Sequence, residues 1–450
     1  MAETGTRVPE NKVPNSRYLT ILDQIYHTHA LVPRISRIMR LEELVRLRWP
    51  DGYPAVGVQV VGTSGKGSTC RFLAAALQAN SRRVGVVASP HVFDYTERIS
   101  VMGRDLSQVE VTDIWEQEVL PTCIRHYREH GITLGFGEVT LLLALIAFER
   151  HQVDFAVIEA GCGGRYDASS ALNPTLRLLT NVGEDHQDLL GAQPWQRALE
   201  KLGDLRGVDC LITSEDDPEL VELILRTCGD SPTDVVLLSD KDHARLHKPL
   251  AGAPASSRIL LHGPHQRRNA CLALRAAEYL TGSDFSEEAA LRALESVTML
   301  GRMTEIVPNV FVDIAHNPNK MEALAERAGT LFSGRKVCVV FGVTSSRDAR
   351  KVIAPILSLA DRLIITQARY RGQDGTVLAR NIASLLPASR DAQVASVENV
   401  ADLATRWISE TGGVVIITGS TFVIDEILND DPYLKHLNAS CGWRVPRNLT

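Results

Sequence analysis

Short apolar runs alternate with longer helical patterns through the first part of the chain. Val56–Val61 is a short, mostly apolar run; a glycine-rich turn follows it, and a helical pattern extends from about Lys66 to Ala79. A later stretch, Val139–Arg150, has the length and apolar character of a buried helix. Further strands are predicted at Arg83–Ala88, Phe155–Ile158 and Leu176–Thr180. This alternation predicts a parallel sheet that is covered by helices on both faces.

A second α/β pattern begins near residue 300. The stretch Leu294–Arg302 is the favoured boundary between the two patterns. The region Ser231–Ser257 has no clear period, and we expect an irregular surface excursion there. The elements predicted for the second pattern are a strand at Val310–Asp313, a helix at Lys320–Leu331, and strands at Lys336–Phe341, Arg362–Thr366 and Val414–Thr418.

Composition narrows the class of protein. The chain has 450 residues, of which 44% are hydrophobic, and a formal net charge of −6; its mean hydropathy is −0.04. These values are typical of a soluble globular protein, and the length suggests two or three domains. A dedicated nucleic-acid binder is usually basic, so we expect no nucleic-acid partner. The basic residues between Arg34 and Arg48 alternate with apolar ones, which favours a solvated helix face.

The spacing of the cysteines and the composition of the N-terminal segment indicate the cellular compartment. The eight cysteines are scattered and none forms a CxxC pair. In a chain of this length, that spacing indicates reduced thiols rather than a disulfide framework or a zinc site. The segment Met1–Arg17 is polar and lacks the apolar centre of a secretion signal. Since no apolar run reaches the roughly 18 residues of a membrane span, we expect no membrane partner and a cytoplasmic protein.

A glycine-rich loop lies between the first predicted strand and its helix. The backbone N–H groups of such a loop and the N-terminus of the following helix attract phosphate oxygens. We expect Lys66 to reach the β- and γ-phosphates of a nucleotide, with hydroxyl contacts from Ser68 or Thr69. Val60 stands where the usual rule has glycine, so the loop is a shortened variant; a glycine-rich turn with a chance lysine is the alternative. The loop reads Gly62-Thr63-Ser64-Gly65-Lys66-Gly67-Ser68-Thr69.

Two residues at the ends of predicted strands are candidate metal ligands. Glu159 follows the strand Phe155–Ile158, and ligands bind at the carboxyl ends of strands in open parallel sheets. Magnesium prefers hard oxygen ligands and substrate phosphates, which suits a carboxylate at this place. His186 lies just past the strand Leu176–Thr180. The alternatives are a solvated carboxylate for Glu159 and a structural role for His186, since a lone histidine is more often structural than a ligand.

The phosphate loop alone is compatible with a kinase, a GTPase or a ligase, but further motifs follow it in a fixed order. They are Ser89-Pro90-His91, Asp94-Tyr95-Thr96-Glu97-Arg98-Ile99, Phe136-Gly137-Glu138-Val139-Thr140, Glu159-Ala160-Gly161-Cys162-Gly163-Gly164-Arg165, Thr180-Asn181-Val182-Gly183-Glu184-Asp185-His186, Glu200-Lys201, His265-Gln266 with Asn269, Gly301-Arg302, Asp313-Ile314-Ala315-His316-Asn317-Pro318, and Thr418-Gly419-Ser420. This series, over about residues 18 to 430, resembles the folylpolyglutamate and dihydrofolate synthetases of the wider Mur ligase superfamily.

The resemblance implies a role for each matching residue. Lys201 matches the lysine that the family carbamylates with CO₂, although a surface lysine is the alternative reading. The implied cofactors are ATP and two magnesium ions. The implied magnesium ligands are Ser89, Glu159 and His186; the implied nucleotide contacts outside the phosphate loop are Asn269 to adenine, Arg302 to the phosphates and Asp313 from the second domain; and the implied catalytic residues are Lys66, Lys201, Arg302 and His316, which would lie near the reacting groups.

The resemblance also implies an architecture. We expect an α/β chain with a P-loop parallel-sheet ATPase domain followed by a smaller Rossmann-like α/β domain. The first domain would comprise residues 1–298, and residues 299–450 would close over the cleft that holds ATP and the amino acid. The family resemblance indicates a monomer.

The implied reaction is an ATP-dependent amide ligation. A carboxylate is activated as an acyl phosphate and is then attacked by an amino acid, with glutamate onto dihydropteroate or a folate as the favoured pair. The alternatives are the same chemistry on a non-folate carboxylate, a non-catalytic nucleotide-binding protein, and a kinase that stops at phosphoryl transfer.

The chain departs from the family pattern mainly beside the matched residues. Ile314 replaces a glycine and adds a branched side chain, and Gly137 replaces a bulky residue before Glu138. These neighbours are expected to shape the acceptor pocket, which keeps the non-folate alternative open. The other departures are Ser64, Ser170, Glu184, Leu202-Gly203-Asp204 and Arg347-Asp348.

Overall fold

The computed structural model describes residues 16–26, 34–92, 94–184, 186–246, 263–297, 299, 301–369, 371–386 and 392–428. Most of the segment Met1–Arg17, and Cys441, lie outside these residues. By its internal contacts the chain forms two compact units, one from residue 20 to residue 297 and one from residue 298 to the end together with the first 19 residues.

The first unit contains a mixed sheet of mostly parallel strands. Within the described residues its spatial order is β4-β3-β2-β5-β1-β6-β7-β8. The pairings from β2 to β8 are parallel, whereas β3 and β4 pair antiparallel at one edge. The strands are β1 Val56–Val61, β2 Val84–Val87, β3 Ile99–Val101, β4 Arg104–Asp105, β5 Phe155–Glu159, β6 Leu176–Leu179, β7 Cys210–Thr213 and β8 Asp234–Leu237.

Helices cover this sheet. A π-helical stretch, Trp115–Val119, joins two of them, and short 3₁₀ turns include Tyr95–Arg98 and Ala168–Leu172. The helices are α1 Ser16–Tyr26, α2 Arg34–Arg48, α3 Lys66–Ala79, α4 Gln108–Ile114, α5 Leu120–His130, α6 Phe136–Arg150, α7 Gln187–Leu190, α8 Pro194–Leu202, α9 Pro218–Gly229, α10 Asp240–Arg245, α11 Pro264–Thr281 and α12 Glu287–Glu295. Helix α6 is buried almost all round, and α3 packs against both α11 and α12.

The second unit has its own sheet and core. The described strands have the order β13-β12-β11-β14-β10-β9, with only the pair β9 and β10 antiparallel. The elements are β9 Thr304–Val307, β10 Val310–Asp313, α13 Pro318–Leu331, β11 Val337–Phe341, α14 Ala349–Ile353, β12 Arg362–Ile365, α15 Gly375–Ile382, β13 Ala392–Val394, α16 Val397–Thr411, β14 Val414–Thr418 and α17 Thr421–Leu428.

The predicted fold class is confirmed, and most predicted elements lie within two or three residues of their predicted bounds. The prediction for Ser231–Ser257 is wrong in its described part, because residues 234–237 pair with β7 as strand β8 and residues 240–245 form helix α10. Strand β8 does contain a short apolar run at residues 235–237, but the run is isolated among polar residues and half-exposed in the sheet. Residues 247–257 of that region lie outside the described part.

The strand order places a ligand-binding edge at the end of β1. The chain goes from β1 to β2 on one side, and later from β5 across β1 to β6 on the other side. In open α/β sheets, ligands bind outside the carboxyl ends of the strands where the direction of the connections reverses. The loops after β1, β5 and β6 therefore meet at one edge, and these are the loops that carry the predicted site residues.

Two sequence-based expectations about the bulk of the chain can be compared with the structure. Among the described residues, no helix is long and apolar enough to cross a membrane. The cysteines that the described ranges contain are free thiols, as their scattered spacing predicts.

Candidate functional site

The phosphate loop connects β1 to α3, and glycine is required at two of its positions. Gly62 has φ +140° and Gly65 has φ +82°, conformations that side-chain-bearing residues rarely adopt. A Cβ on Gly62 would lie 1.9 Å from Thr180 Oγ1, and one on Gly65 would lie 2.2 Å from Asn269 Oδ1. Lys66 begins α3 and its Nζ donates to the Gly62 carbonyl at 3.0 Å. The loop is therefore a tight turn with its lysine at the first position of the helix.

The loop after β6 is hydrogen-bonded to the phosphate loop. The backbone N–H of Thr63 donates to the Asn181 carbonyl, and that of Ser64 donates to Asn181 Oδ1, each at 3.0 Å. The Thr180 hydroxyl donates to the Ser64 carbonyl at 2.6 Å, and the Gly183 N–H donates to Thr63 Oγ1 at 2.8 Å. These bonds join the ends of the neighbouring strands β1 and β6 into one rigid surface.

Two hydroxyl groups of the phosphate loop are buried without a hydrogen-bond partner among the described residues. The hydroxyls of Ser64 and Thr69 are inaccessible and have no hydrogen-bond partner in the described part of the chain. Buried hydroxyls without partners are uncommon, because each costs about 1–3 kcal/mol. A bound phosphate oxygen or a metal-bound ligand would satisfy them.

Asn269 lies on α11 against the phosphate loop. Its Nδ2 donates to Gln266 Oε1 at 3.1 Å, and Gln266 Nε2 donates to Ser68 Oγ at 3.1 Å. Both amides are nearly inaccessible, with 5% and 2% exposure. The structure thus places Asn269 beside Gly65; the predicted adenine contact stays a prediction. The sequence motifs include Gln266 but assign it no role. Its spacing of three residues from Asn269, which puts both on one face of a helix, was the signal that could have indicated this contact.

Glu159 and Ser89 are brought together by the neighbouring strands β5 and β2. The backbone N–H of Ser89 donates to Glu159 Oε2 at 2.7 Å. The same oxygen would lie 3.1 Å from a Cβ on Gly67, so the carboxylate lies at the start of α3. The negative charge of Glu159 contributes to raising the pKa of the Cys70 thiol, although burial is the larger cause. A carboxylate beside the phosphate loop is well placed for a magnesium ligand.

His186 lies in the loop after β6, in the left-handed region at φ +46°. It precedes the short helix α7, and its carbonyl accepts from the N–H groups of Leu189 and Leu190 at 2.9 Å. Asp185, its neighbour in the matched motif, is outside the described residues. Within the residues that are described, no three His, Cys, Asp or Glu side chains form a group that could hold a metal ion. The magnesium set Ser89, Glu159 and His186, which includes a serine, stays a prediction.

Lys201 is buried on α8, with 1% of its surface exposed. The loop after β5 packs on its backbone: the Arg165 N–H donates to the Glu200 carbonyl at 2.9 Å, and a Cβ on Gly164 would lie 2.5 Å from the Lys201 carbonyl. The alternative reading of a surface lysine is therefore wrong. Only glycine at position 164 allows this approach between the loop and α8.

Arg197, also on α8, connects this helix to the loop after β6. Its Nε donates to the Gly183 carbonyl at 2.9 Å, and its Nη1 donates to the Ala192 carbonyl at 2.7 Å. The side chain is almost completely buried, with 3% exposure. Helix α8, which carries Lys201, is therefore attached to the loop that leads to His186.

The second unit has its own group of predicted site residues around the end of β10. Asp313 Oδ2 accepts from the Met303 N–H, and Oδ1 accepts from the Ala315 N–H, each at 2.9 Å. Burial raises the pKa of Asp313, and the nearby Arg302 opposes that rise. Arg327 Nη1 donates to the Arg302 carbonyl at 3.1 Å, so the backbone at Arg302 is fixed from two sides.

His316 follows Asp313 in the same unit. Its Nδ1 lies 2.8 Å from the Ile314 carbonyl, and its Nε2 lies 3.2 Å from Lys320 Nζ on α13. Since a carbonyl can only accept, Nδ1 is the protonated nitrogen. Ile314 itself is 3% exposed. Its side chain is therefore buried.

Comparison with known proteins adds independent information. The family model described as Mur ligase, glutamate ligase domain, matches residues 301–421. The dihydrofolate synthase/folylpolyglutamate synthase of Bacillus subtilis is 30% identical over 414 residues, which are 88% of this chain and 94% of that protein. The chain is similar to Mycobacterium tuberculosis folylpolyglutamate synthase complexed with ADP, with a TM-score of 0.80 at 25% identity, over 91% of this chain and 97% of that one.

A second solved structure is also similar over nearly the whole chain. It is the bifunctional folylpolyglutamate synthase/dihydrofolate synthase of Yersinia pestis, complexed with AMPPNP and a manganese ion. The TM-score is 0.73 at 25% identity, and the match covers 93% of this chain and 99% of that one. That protein binds a nucleotide together with a divalent metal ion.

Proposed function

This chain belongs to the dihydrofolate synthase/folylpolyglutamate synthase family, and we propose from that premise how its own residues carry out the reaction. The chain is an ATP-dependent ligase that joins an acid to an amino acid. The amino acid is glutamate, and the acid is dihydropteroate or a folate. We further propose that the enzyme works as a monomer in the cytoplasm.

The phosphate loop is the observation that carries this proposal. It lies at the N-terminus of α3, where backbone N–H groups and the helix dipole favour an anion. The unsatisfied hydroxyls of Ser64 and Thr69 are available to phosphate oxygens. The residues proposed to contact the ATP phosphates here are Gly62, Thr63, Gly65, Lys66, Gly67, Ser68 and Thr69, with Asn269 beside them.

ATP is needed because a free carboxylate is a poor electrophile at neutral pH. Attack of the acceptor carboxylate on the γ-phosphorus forms an acyl phosphate and releases ADP. The amino group of glutamate then attacks the acyl carbon, and phosphate leaves as the amide bond forms. Charge on the transferring phosphoryl group is spread over its oxygens, and we assign its stabilisation to the cations of Lys66 and Arg302. This sequence of steps requires no protein nucleophile.

Magnesium is the divalent ion that the donor set suits. The Glu159 carboxylate lies against Gly67 and provides hard oxygen chemistry next to the phosphate loop. We assign Ser89, Glu159 and His186 as ligands, and we propose two ions in the complete site. When bound, magnesium neutralises phosphate charge during transfer. The chain itself orients the Glu159 carboxylate through the Ser89 N–H.

We propose that Lys201 becomes a carbamate. The lone pair of a neutral Nζ attacks the carbon of CO₂, an N–C bond forms, and one proton is released to solvent. The product is an anion with two oxygen donors on a lysine that is buried and whose backbone is fixed by Gly164 and Arg165. An anionic oxygen donor at this position suits a second magnesium ion, whereas an ammonium group does not.

The second unit supplies the other predicted contacts. Asp313, whose two oxygens are already hydrogen-bonded to backbone N–H groups, is proposed to contact the nucleotide. Arg302 is proposed to contact its phosphates, and His316 to lie near the reacting groups. Support for these assignments is their grouping around the end of β10 and the match of this segment to the glutamate ligase domain.

The decisive experiment measures ADP release by the purified chain with magnesium and ATP. Dihydropteroate, tetrahydrofolate and a blank are compared as acceptors, each with and without glutamate, and products are identified by mass. We expect ADP release only when acceptor and glutamate are both present, with a product that is one glutamyl unit heavier. The number of units added distinguishes single from repeated addition.

Three outcomes would overturn parts of this proposal. ADP release without glutamate would indicate a kinase. Nucleotide binding without turnover on either pterin would point to a non-folate carboxylate. No ADP release with any acid would indicate a non-catalytic nucleotide-binding protein.

A further inference from the structure

Two polar side chains lie opposite each other in the apolar centre of the first sheet. Gln59 on β1 and Arg177 on β6 are direct partners in the parallel pairing, and Arg177 Nε donates to Gln59 Oε1 at 2.7 Å. Their exposures are 0% and 1%. Central strands of parallel sheets are usually continuous apolar runs, and arginine is almost never fully buried unless it is paired. This pair therefore needs a physical explanation.

The hydrogen bonds continue from Gln59 to the loop after β5. Gln59 Nε2 donates to Ser169 Oγ at 2.7 Å, and Ser169 Oγ donates to Asp167 Oδ1 at 2.6 Å. The other oxygen, Asp167 Oδ2, accepts from the N–H groups of Gly161 at 3.0 Å and Cys162 at 3.1 Å. The chain of side chains thus ends two residues beyond Glu159.

A second branch reaches the helix that carries Lys201. Gly203, just past the end of α8, has φ +63°, and a Cβ there would lie 3.3 Å from Arg177 Nη1 and 3.0 Å from the Arg165 backbone. Gln59 Nε2 also lies 3.4 Å from the carbonyl of Gly164, the residue that packs on the Lys201 carbonyl. Gln59 therefore contacts the loop after Glu159, and Arg177, its hydrogen-bond partner, lies beside Gly203 at the end of α8.

Stability alone does not account for this arginine. Burial lowers the pKa of Arg177 to about 10, and Asp204 opposes the shift, so the group is charged at neutral pH. Its Nη1 is buried and has no hydrogen-bond partner among the described residues. Apolar residues of similar volume often replace buried charged groups with no loss of stability, because the desolvation of a charge is so costly. The connections that the group makes are therefore the better explanation.

We propose that Arg177 is a positioning residue for the ligase reaction. Through Gln59, Ser169 and Asp167 it fixes the loop after β5, and through Gly203 it fixes the end of α8, so that Glu159 and Lys201 keep one relative position. This inference rests on the proposed function, because it assumes that these two residues serve the same metal site. Partners that orient metal ligands typically change affinity or activity by about 10–100-fold when they are removed.

The test compares Arg177→Met, Ser169→Ala and Thr233→Val with the wild-type chain. Arg177→Met has similar length without charge, and Ser169→Ala removes a single hydroxyl from the middle of the chain, so it remains informative if Arg177→Met does not fold. Thr233 is a matched control: its buried hydroxyl donates to the Val208 carbonyl at 2.8 Å near the far edge of the same sheet. Melting temperature, kcat, the magnesium concentration for half-maximal rate, and Mn²⁺ binding in the presence of AMPPNP are measured for each.

We expect the two network variants to weaken Mn²⁺ binding and to lower kcat by about 10–100-fold, whereas Thr233→Val lowers only the melting temperature. The double variant Gln59→Leu with Arg177→Met should lose no more than Arg177→Met alone, because both act through one unit. The proposal is overturned if Ser169→Ala, or a folded Arg177→Met, retains wild-type Mn²⁺ binding and kcat. Failure of the proposed function is recognised separately, because the wild-type chain would then release no ADP in response to acceptor and glutamate.

Discussion

The carboxylate of Glu159 accepts a hydrogen bond from the backbone N–H of Ser89 at 2.7 Å. Glu159 is the last residue of β5 and Ser89 follows β2. These strands are parallel neighbours, so the proximity of the two residues results directly from the strand order. The carboxylate also lies beside Gly67 at the start of α3. A carboxylate oxygen is thereby held next to the phosphate loop.

The first prediction concerns the charge of this group. In Glu159→Gln the amide oxygen can still accept from the Ser89 N–H, so the fold should be retained while the anionic metal ligand is lost. We expect kcat to fall by about 100-fold or more, similar to the loss of one key electrostatic group in other active sites. The magnesium concentration for half-maximal rate should rise. Steady-state rates over a magnesium titration, with melting temperatures, check this.

A matched control is available in the same unit. Glu219 is an exposed carboxylate in the first turn of α9, and Glu219→Gln should leave both the rate and the magnesium dependence unchanged. If Glu159→Gln retained wild-type kcat at low magnesium, Glu159 would not be a metal ligand.

The second prediction concerns the backbone of the phosphate loop. Gly65 has φ +82°, and a Cβ there would lie 2.2 Å from Asn269 Oδ1. Gly65→Ala should therefore strain the turn and displace Asn269, at a cost of about 1–3 kcal/mol in the free energy of unfolding. We expect affinity for ATP to fall by about tenfold or more, which corresponds to about 1.4 kcal/mol. Calorimetric titration with AMPPNP measures it.

Gly131→Ala is a control that introduces backbone strain without a steric clash. Gly131 also has a positive φ, +65°, but a Cβ there meets nothing within 4 Å. This control should lose about 1 kcal/mol of stability from the left-handed conformation and keep wild-type affinity for ATP. Equal affinities in the two variants would show that the space beside Gly65 is unimportant for the nucleotide.

Local periodicity explains which elements could be predicted from the sequence. The strand Val56–Val61 and the helix Lys66–Ala79 have the predicted bounds, because the apolar run, the glycines and the amphipathic helix all act within one short segment. Strand β8 contains a short apolar run, residues 235–237, but a single run of this length does not by itself distinguish a strand from an irregular segment. Its pairing with β7 is a tertiary contact that the local pattern does not specify.

The sequence allowed the candidate site residues to be predicted, but not the contacts between them. Strand ends indicated Glu159 and His186, and motif order indicated Lys201, but neither signal indicated the contacts that position them. Gln59 and Arg177 are 118 residues apart, and only their register in neighbouring strands brings them together. A glutamine and an arginine inside two apolar strands were the visible signal.

The third prediction concerns Lys201. If it forms a carbamate, Lys201→Ala should lower kcat by about 100-fold or more, and added short carboxylic acids should restore part of the rate by supplying the missing oxygen donors. Wild-type protein equilibrated with ¹³CO₂ should show a carbamate carbon resonance that is absent from the variant. Rescue by acids and the carbamate resonance both report on the modification itself, which a simple loss of folding in the variant would not reproduce.

Lys241→Ala is the control for this experiment, because Lys241 is an exposed lysine on α10. Lys241→Ala should keep the wild-type rate and the wild-type carbamate resonance, and added acids should not change its rate. Full activity of Lys201→Ala without any added acid would remove the proposed role.

Arg245 joins three helices in the region where the sequence indicated an irregular excursion. From α10, its Nη1 lies 2.9 Å from Glu278 Oε2 on α11, and its Nη2 lies 3.2 Å from Glu287 Oε2 on α12. Burial tends to raise the pKa of Glu278, but hydrogen bonds from Arg275 and Arg245 outweigh it, and the pKa is lowered. The contact should therefore be pH-dependent.

The fourth prediction is that Arg245→Met lowers the free energy of unfolding by about 2 kcal/mol at pH 7, the range for hydrogen bonds to charged groups. Because the folded pKa of Glu278 is depressed, its contribution is present above the unfolded value near 4.5 and is lost as pH falls through the folded pKa. The difference between wild type and variant should thus shrink at pH 3 in urea unfolding followed by circular dichroism. Arg226→Met, which breaks the exposed pair with Glu222, should cost under about 0.5 kcal/mol at either pH. An equal loss at pH 7 and pH 3 for Arg245→Met would mean that packing of its alkyl chain, and not its charge, attaches α10 to the sheet-covering helices.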